Sequence, residues 1–321
     1  MKIFVTGGAG YVGSLLVPDL IRSHHQVTVY DLMLYGNPFN GIDSDNLRIE
    51  KGDIRDREAL IKSSDGADVI IHLASISNDP SFELNPELGK SINLDATHNV
   101  VDAARNSNRL IFASSASVYG IQDTPVVTED TEPNPQTDYA KYKLEAESIF
   151  SAVLPQSVMV RCATICGYAP RLRLDLVVNI FTSHAIINDK IRIFGGSQHR
   201  PNINVLDVVR AYSMLLDSPD DITHGEVFNV GAVNMSLDDI AKEVVKNVPK
   251  EVTCENVPTD DTRSYFINSD KIYDKLGFKP IYSIGTAVRS VVQAYAIGLV
   301  DDGLNNPMYH NVKRMKEVDL Q

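Results

Sequence analysis

The sequence lacks tryptophan, is poor in cysteine and carries fewer basic than acidic residues. Its three cysteines, Cys162, Cys166 and Cys254, are too few and odd in number to form a disulfide framework. Cys162 and Cys166 lie four positions apart, but no cysteine or histidine cluster nearby completes a zinc site, and we expect no metal. Free thiols favour a reducing compartment, so the expected location is cytoplasmic.

The shortage of basic residues and of long apolar runs excludes further classes of protein. The 30 Lys and Arg against 42 Asp and Glu leave a net charge of −12, which argues against broad binding of nucleic acids or anionic membranes. No run of about 18 apolar residues is present, so no membrane span is expected. The start, MKIFVTGGAGYVG, has no continuous apolar stretch, and we expect no signal peptide.

What the chain does have is a regular alternation of short apolar runs and amphipathic stretches in its first half. This pattern predicts a doubly wound parallel α/β sheet with both faces covered. Strands are expected at 3–6, 27–30, 47–50, 69–73, 110–113 and 158–161, and helices at 11–23, 55–63, 86–106 and 138–152. In the less regular second half, helices are expected at 175–187, 207–216, 236–246 and 283–297, with a loosely ordered polar segment from 309.

The first predicted strand runs into a glycine-rich turn, Thr6-Gly7-Gly8-Ala9-Gly10-Tyr11-Val12-Gly13. Gly7, Gly10 and Gly13 are spaced three apart where a strand becomes a helix. In this context backbone N–H groups at a helix N-terminus approach a pyrophosphate, and the last glycine lets the helix lie close to the sheet. Asp31 lies 18 residues beyond Gly13, near the spacing at which a carboxylate accepts hydrogen bonds from an adenosine ribose. The turn therefore predicts a bound dinucleotide.

Asp31 also distinguishes between the two nicotinamide dinucleotides. Its carboxylate repels a 2′-phosphate, and the residues that follow, 32–34, offer no basic side chain to receive one. The expected cofactor is therefore NAD rather than NADP. Asp53, after the third predicted strand, has two interpretations: a contact with adenine, or a turn-forming aspartate.

Tyr139 and Lys143 lie at i and i+4 of a predicted helix, so both side chains are on one face. A lysine ammonium beside a phenol favours the phenolate and lowers the pKa of the tyrosine toward neutrality. Such a tyrosine can take a proton from a sugar hydroxyl while a hydride passes to NAD. Ser115, at the end of the fifth predicted strand, is expected to face the ligand crevice and hold the same substrate oxygen. Alone these motifs are common; the upstream glycine turn gives them weight.

Taken together, these residues resemble the extended short-chain dehydrogenase/reductase family, and within it the nucleotide-sugar epimerases and dehydratases. The resemblance covers nearly the whole chain. Its motifs are the glycine turn, Gly52-Asp53, His72-Leu73-Ala74, Asn93, 114–120, 139–143, Arg161, 194–200, 205–207, 228–231 and 276–280. Glycine and proline cluster at 167–170 and mark an expected boundary. We expect an NAD-binding domain over 1–167 and a smaller C-terminal α/β domain over 168–321 that binds mainly the nucleotide sugar, with part of 200–232 returning to the first domain.

The resemblance implies a role for each matched residue. Ser115, Tyr139 and Lys143 correspond to the catalytic trio, and Lys143 would also bind the nicotinamide ribose. Cofactor contacts are implied at Gly7, Gly10, Tyr11, Val12, Gly13, Asp31, Asp53, Ile54, Leu73, Ala74, Ser75, Asn93, Tyr139 and Lys143. Substrate contacts are implied at Ser117, Asn179, Arg200 and Arg263, of which Arg200 matches an arginine that holds the nucleotide diphosphate. Asn179 is a second expected diphosphate contact, and Arg263 is either another phosphate ligand or a solvated arginine.

Positions 116 and 117 narrow the expected reaction. The family's 4,6-dehydratases carry Asp-Glu there and its UDP-glucuronate decarboxylases carry a Glu, whereas this chain has Ala116 and Ser117. The expected activity is therefore NAD-dependent 4-epimerisation of a nucleotide-diphosphate sugar through a transient 4-keto intermediate. The alternative is a 4-dehydrogenase or 4-ketoreductase; a 4,6-dehydratase or a non-catalytic NAD-binding regulator has less support.

Two further expectations come from the resemblance. The segment from Cys166 to Asp175 and on to Arg200 is similar to a subgroup found in surface-polysaccharide sugar pathways. Family members commonly dimerise by packing together the helices that carry Asn93 and Tyr139, so a homodimer is expected. The substrate pocket has one departure from the family pattern, because Thr164-Ile165-Cys166-Gly167 stands where Asn-Val-Tyr-Gly is usual.

Overall fold

The structure is a computed structural model that describes residues 1–122, 124, 126–259, 264 and 266–318. Its strands are β1 Lys2–Thr6, β2 Gln26–Asp31, β3 Leu47–Lys51, β4 Val69–His72, β5 Arg109–Ser115, β6 Val126–Val127, β7 Ser157–Cys162, β8 Thr164–Cys166, β9 Lys190–Phe194, β10 His199–Asn204, β11 Val227–Val230, β12 Val233–Ser236, β13 Thr253–Val257 and β14 Phe266–Ile267. Its helices are α1 Gly13–Arg22, α2 Arg57–Ser64, α3 Asp79–Leu84, α4 Pro86–Lys90, α5 Thr97–Ala104, α6 Asp138–Val153, α7 Val177–Asn188, α8 Val205–Asp217, α9 Asp220–Thr223, α10 Leu237–Asn247, α11 Asp270–Leu276, α12 Ile284–Ala296 and α13 Asn311–Glu317.

Seven strands form one parallel sheet in the order β11-β7-β5-β4-β1-β2-β3. The chain winds outward from β1 in one direction through β2 and β3, and in the other through β4, β5, β7 and β11. The strand order therefore reverses beside β1, and this is where α/β sheets open a ligand crevice. The predicted doubly wound α/β class is confirmed.

Helices cover both faces of the sheet because its strands are apolar on both sides. One core packs residues of α1 and α8 against the sheet, including Leu16, Leu20 and Leu215. The opposite core is built from α2, α5 and α6, with Leu60 and Phe150 fully buried. These two layers hold the carboxyl ends of the strands in a fixed arrangement.

The second half of the chain adds a smaller α/β layer beside the strand ends. It contains a sheet ordered β12-β10-β8, a β13-β9 pair, and helices α7, α10 and α12 around a core of its own. The chain does not stay in this layer, since β11 pairs with β7 in the large sheet and α8 contacts α1. None of the helices in the described ranges is long and apolar enough to cross a membrane.

Two expectations about local structure are wrong. The continuous helix predicted over 86–106 is broken into α4, a π-helical turn at Ser91–Asp95, and α5. The wide turn carries Asn93, whose amide bonds both the N–H and the carbonyl of Ile76 at 2.9 Å. The segment from 309, expected to be loose, contains α13, and Asn311 at its start is only 4% exposed. Polar composition misled here because Asn311 is buried through hydrogen bonds rather than apolar contacts.

Candidate active site

A cleft of about 460 Å³ opens at the carboxyl ends of the central strands, and the second half of the chain forms one of its walls. It brings together most of the residues singled out in the sequence. Those lining it are Gly7, Gly10, Tyr11, Val12, Gly13, Asp31, Ile54, Leu73, Ala74, Ser75, Ser115, Ser117, Tyr139, Lys143 and Arg200. Asp53, Asn93 and Asn179 are not among the lining residues, and Arg263 lies outside the described residues.

The glycine turn is packed too tightly for side chains at two positions. Gly7 has a φ of +68°, and a Cβ there would lie 2.4 Å from the backbone nitrogen of Ala74. A Cβ on Gly13 would lie 2.1 Å from the carbonyl oxygen of Gly8. Among the residues that the structure describes, no side chain caps the N-terminus of α1, so the start of this helix presents backbone donors and a positive dipole end to the cleft. These features fit a dinucleotide pyrophosphate.

Asp31 ends β2 beside the glycine turn and is held by two backbone donors. Its carboxylate accepts from the N–H of Ala9 at 3.0 Å and from the N–H of Met33 at 2.8 Å. Burial raises the pKa of Asp31, and these hydrogen bonds and the charge of Arg171 oppose the rise. The side chain lines the cleft at the place where the sequence predicts an adenosine ribose.

Asp53 forms the turn that one of its two interpretations expects. Its carboxylate accepts from the N–H of Arg55 at 2.8 Å and forms an ion pair with the Arg55 guanidinium at 2.6 Å. The neighbouring Ile54 lines the cleft in its place. The other interpretation of Asp53, a contact with adenine, stays a prediction.

Tyr139, Lys143 and Ser115 meet at the floor of the cleft. Thr137 caps α6 by accepting from the N–H of Ala140 at 3.3 Å, and this fixes the turn that carries Tyr139. The Nζ of Lys143 lies 6.0 Å from the centre of the Tyr139 ring and donates to the carbonyl of Ala113 at 2.8 Å. The predicted i, i+4 arrangement therefore does place both side chains on the cleft side of α6.

The charges around Tyr139 differ from the sequence expectation. Burial raises the pKa of Tyr139 to about 12, and the largest opposing effect is the charge of Arg173, followed by a hydrogen bond with Ser115. Burial also lowers the pKa of Lys143 to about 7, against the charge of Glu147. In the protein by itself the pKa of Tyr139 is raised rather than lowered, because burial outweighs the charge of Arg173 and the hydrogen bond with Ser115. A cationic nicotinamide ring in the cleft would add the missing positive charge.

Ser115 stands at the end of β5, where the sheet meets the cleft. Its Oγ accepts from the N–H of Ser117 at 3.2 Å and from the Ser117 hydroxyl at 2.9 Å. Ala116 between them is buried, while Ser117 lines the cleft. Positions 115–117 thus present hydroxyl groups and no carboxylate.

Two residues expected to contact ligands hold other parts of the protein through hydrogen bonds. Asn93 holds Ile76, so it shapes the loop after β4 that lines the cleft. Asn179 is fully buried on α7, where its amide bonds the N–H of Gly167 at 2.8 Å, the hydroxyl of Tyr11 at 3.2 Å and the carbonyl of Arg173 at 2.9 Å. The amide of Asn179 therefore joins the glycine turn to the 167–173 segment. The expected contact of Asn179 with the diphosphate stays a prediction.

Two arginines of the cleft had no role assigned from the sequence. Arg173 forms two hydrogen bonds with Asp175, both at 3.0 Å, and a third at 3.2 Å with the hydroxyl of Ser77. Arg171 is 5% exposed and lies over the ring of Tyr35, with its guanidinium carbon 3.6 Å from the ring centre. The alternation Arg-Leu-Arg-Leu-Asp at 171–175 is the signal that could have identified them, because in an extended segment alternate residues share a side.

A buried polar network supports the floor of the cleft. Glu147, one turn after Lys143 on α6, pairs with Arg161 at 2.7 Å and accepts from Ser114. Arg161 also donates to the hydroxyl of Tyr119 at 3.1 Å, and Tyr119 donates to Asn229 at 2.8 Å. The network joins β5, α6, β7 and β11 directly below the catalytic candidates.

Comparison with known proteins places this site in a family. The model of the NAD dependent epimerase/dehydratase family matches residues 3–231, well over half of the chain. A UDP-glucose 4-epimerase of Corynebacterium glutamicum is 27% identical over 91% of this chain and 94% of its own length. A dTDP-glucose 4,6-dehydratase of Shigella flexneri is 26% identical, with 92% of each chain covered.

A solved structure agrees in fold and in cofactor. The UDP-glucuronic acid 4-epimerase of Bacillus cereus, in complex with UDP-glucuronic acid and NAD, is 25% identical and covers 94% of this chain and 100% of its own, with a TM-score of 0.82. Relatives with epimerase and with dehydratase names are thus both similar to this chain. The chain belongs to the NAD-dependent epimerase/dehydratase family, as an NAD-dependent enzyme of the extended short-chain dehydrogenase/reductase type.

Proposed function

We propose that the protein is a nucleotide-sugar 4-epimerase that works through a transient 4-keto intermediate. The observation that carries the proposal is the meeting of Ser115, Tyr139 and Lys143 with the glycine turn in one cleft, without a carboxylate at 116 or 117. The names of similar proteins support a nucleotide sugar as substrate, since they include a UDP-glucose 4-epimerase and a UDP-glucuronic acid 4-epimerase.

In this proposal the chain's own residues move one proton. Tyr139, as phenolate, takes the proton of the sugar C4 hydroxyl, and Ser115 holds the same oxygen through a hydrogen bond. Bound NAD supplies the redox chemistry, by accepting the C4 hydride and returning it. Arg173 keeps positive charge close to the phenolate, and the Nζ of Lys143 lies 6.0 Å from the centre of the Tyr139 ring. After the 4-keto sugar has rotated in the cleft, the hydride returns to its other face and Tyr139 returns the proton to the C4 oxygen of the epimer.

The wall formed by the second half of the chain would hold the nucleotide diphosphate. Arg200 of β10 lines the cleft and is the arginine expected to bind the diphosphate. Ser117 is proposed to contact the sugar, and the role of Arg263 stays a sequence prediction. We propose residues 1–167 with part of 200–232 as the cofactor domain and the remainder as the nucleotide-sugar domain. A cytoplasmic location and a role in surface-polysaccharide sugar synthesis belong to the same proposal.

The main alternative is a 4-dehydrogenase or 4-ketoreductase, because its chemistry at C4 uses the same three side chains. A 4,6-dehydratase is disfavoured, since Ala116 and Ser117 provide no acid to eliminate water from C6. A non-catalytic NAD-binding regulator is disfavoured by the retained trio.

The deciding experiment follows two signals in one incubation. The NAD-loaded protein is mixed with UDP-glucose, UDP-glucuronic acid and dTDP-glucose in separate reactions, while absorbance at 340 nm and the C4 configuration of the sugar by NMR are recorded. An epimerase interconverts C4 isomers without added NADH and without a lasting absorbance change. Stoichiometric NADH accumulation, or a requirement for added NADH, would establish the alternative, and a 4-keto-6-deoxy product would establish a dehydratase.

We also propose a homodimer through the helices that carry Asn93 and Tyr139. The outward positions of this face, including His98, Lys141 and Glu145, are exposed and polar. Such an interface would therefore depend on polar contacts and weaken in salt. Light scattering at low and high ionic strength tests the proposal, and a monomer at both would contradict it.

A further inference from the structure

The residue Arg171 lies between the glycine turn and the C-terminal helix. Its backbone N–H reaches the hydroxyl of Ser14 in the first turn of α1, at 3.4 Å. Its side chain lies over the ring of Tyr35, which follows the strand that carries Asp31. The charge of Arg171 is also close enough to oppose the raised pKa of Asp31. Arg171 is thus on the adenosine side of the cleft, beside the helix start that fits a pyrophosphate.

The guanidinium of Arg171 is buried with two donors unused. Its Nη2 donates to the amide oxygen of Asn311, while Nε and Nη1 have no hydrogen-bond partner among the described residues. A buried donor left without an acceptor is costly, and a buried charge without a counter-ion more so. Burial lowers the pKa of Arg171 to about 10, so the group is still cationic at neutral pH. An anion with two acceptor oxygens would satisfy both requirements.

The carboxylates nearby do not meet this need. Asp175 is engaged by Arg173 and by the amide of Asn78 at 2.8 Å, and Asp31 accepts from two backbone N–H groups. Arg200, expected at the nucleotide-sugar diphosphate, belongs to β10 in the second-half wall. The anion of the adenosine side is the pyrophosphate of the dinucleotide.

Asn311 fixes the position of Arg171 from the C-terminal helix. Its amide oxygen also accepts from the hydroxyl of Tyr35 at 3.1 Å, and its amide nitrogen donates to Ser77 at 3.1 Å. Further along α13, the Nε of Arg314 donates to the carbonyl of Leu34 at 2.6 Å. The helix therefore links the loop after β2 to the loop after β4, and both loops line the cleft.

We propose that Arg171 is a cofactor-binding residue whose Nε and Nη1 bind the pyrophosphate of NAD, and that Asn311 is the positioning residue that holds it there. Together they form a clasp over the adenosine half of the dinucleotide. The clasp makes NAD slow to dissociate, which suits an enzyme that regenerates its cofactor in each cycle. The inference concerns cofactor binding and stands whether or not the proposed epimerisation is correct.

The test is binding, measured by calorimetry on the cofactor-free protein. For Arg171→Met, we expect the Kd of NAD and of ADP-ribose to rise at least tenfold, while adenosine, which has no phosphate, and UDP bind as in the wild type. Arg48→Met is the matched control, since the Arg48 side chain is 70% exposed on the edge strand β3. A loss of UDP affinity with unchanged NAD affinity would instead assign Arg171 to the substrate and overturn the proposal.

Two further variants keep the test decisive if Arg171→Met does not fold. Arg171→Lys retains the positive charge but loses the paired N–H donors of the guanidinium. We expect its Kd for NAD to lie between those of the wild type and Arg171→Met. Asn311→Ala keeps Arg171 but removes the amide oxygen that accepts from its guanidinium. We expect NAD to dissociate from this variant several-fold faster in stopped-flow displacement by excess ADP-ribose. Wild-type NAD affinity and dissociation rate in both variants would overturn the clasp.

Discussion

At the residue scale, Asp31 is expected to set the choice of dinucleotide. Because its carboxylate lines the cleft at the end of β2, a 2′-phosphate would meet a negative charge there. We predict that NAD binds at least tenfold more tightly than NADP, a difference of about 1.4 kcal/mol. Asp31→Ala should reduce the difference in affinity between NAD and NADP, as measured by calorimetric titration with each cofactor. Tighter binding of NADP by the wild type would contradict this account.

Tyr139 is expected to be essential for turnover and dispensable for cofactor binding. Tyr139→Phe removes the acid–base oxygen and keeps the ring, and we predict a loss of turnover of about 10²–10⁴-fold with NAD affinity nearly unchanged. Tyr142→Phe on the same helix is the matched control, because Tyr142 packs on Phe82 and is not among the residues that line the cleft. A Tyr139→Phe variant with more than about a tenth of wild-type turnover would exclude Tyr139 as the base.

Lys143 should give the protein a pH-dependent stability of defined sign. Its folded pKa of about 7 is below the ordinary lysine value of about 10.4, so between these values the unfolded chain binds more protons than the folded one. The free energy of unfolding of the wild type therefore rises with pH between these two pKa values, compared with that of Lys143→Met, which has no titratable group at this position. Urea unfolding of both proteins at pH 6, 8 and 9.5 measures the difference. A stability difference that is the same at all three pH values would mean that Lys143 titrates normally.

At the scale of elements, α6 is joined to the sheet by the Glu147–Arg161 ion pair. Both side chains are about 6% exposed, so removing one charge leaves the other buried without compensation. We predict that Glu147→Gln lowers the free energy of unfolding by about 3–5 kcal/mol. Glu145→Gln, an exposed position on the same helix, should change it by less than about 0.5 kcal/mol. Chemical denaturation of the two variants measures both changes in the free energy of unfolding. Equal changes would show that the Glu147–Arg161 ion pair does not stabilise the contact of α6 with the sheet.

Helices and strands could be predicted where a local sequence pattern determines them, and could not where a contact between residues far apart in sequence does. The strands of the first half were predictable because burial on both faces makes them continuously apolar, and the structure extends them by one or two residues at most ends. The break in the 86–106 helix was not predictable, since it depends on the contact of Asn93 with Ile76, 17 residues away. The short helix α3 was not predicted either. Its N-cap is Asn78, in the loop after β4, and the side chain of Asn78 accepts from the N–H of Ser81.

The candidate site was predictable where motifs are contiguous in sequence. The glycine turn, Asp31 and the Tyr139–Lys143 pair each follow from a local spacing, and the structure brings them to one cleft. Arg171 and Asn311 were not assigned, because they meet across 140 residues of sequence. The burial of Asn179 could not be predicted either, since its hydrogen bonds reach Tyr11, Gly167 and Arg173.

For the whole molecule, cofactor binding should stabilise the fold globally. The cleft is walled by the first strands, the second half of the chain and α13, so a bound dinucleotide contacts distant parts of the sequence. We predict that NAD at 100 times its Kd stabilises the protein by about 2.7 kcal/mol and raises its melting temperature. Nicotinamide alone at the same concentration is the control. Calorimetric melting with no shift in saturating NAD would mean that the cleft does not bind it.

The position of Asn311 has a consequence for the order of events during protein synthesis. The glycine turn is translated first, and at about 5–20 residues per second roughly 15–60 seconds pass before Asn311 is made. Until then the cleft lacks the lining residues Asn311 and Met315. In our proposal full affinity for NAD is reached only after Asn311 has been made and has met Arg171, so the strands of the large sheet pair before the cofactor site is complete.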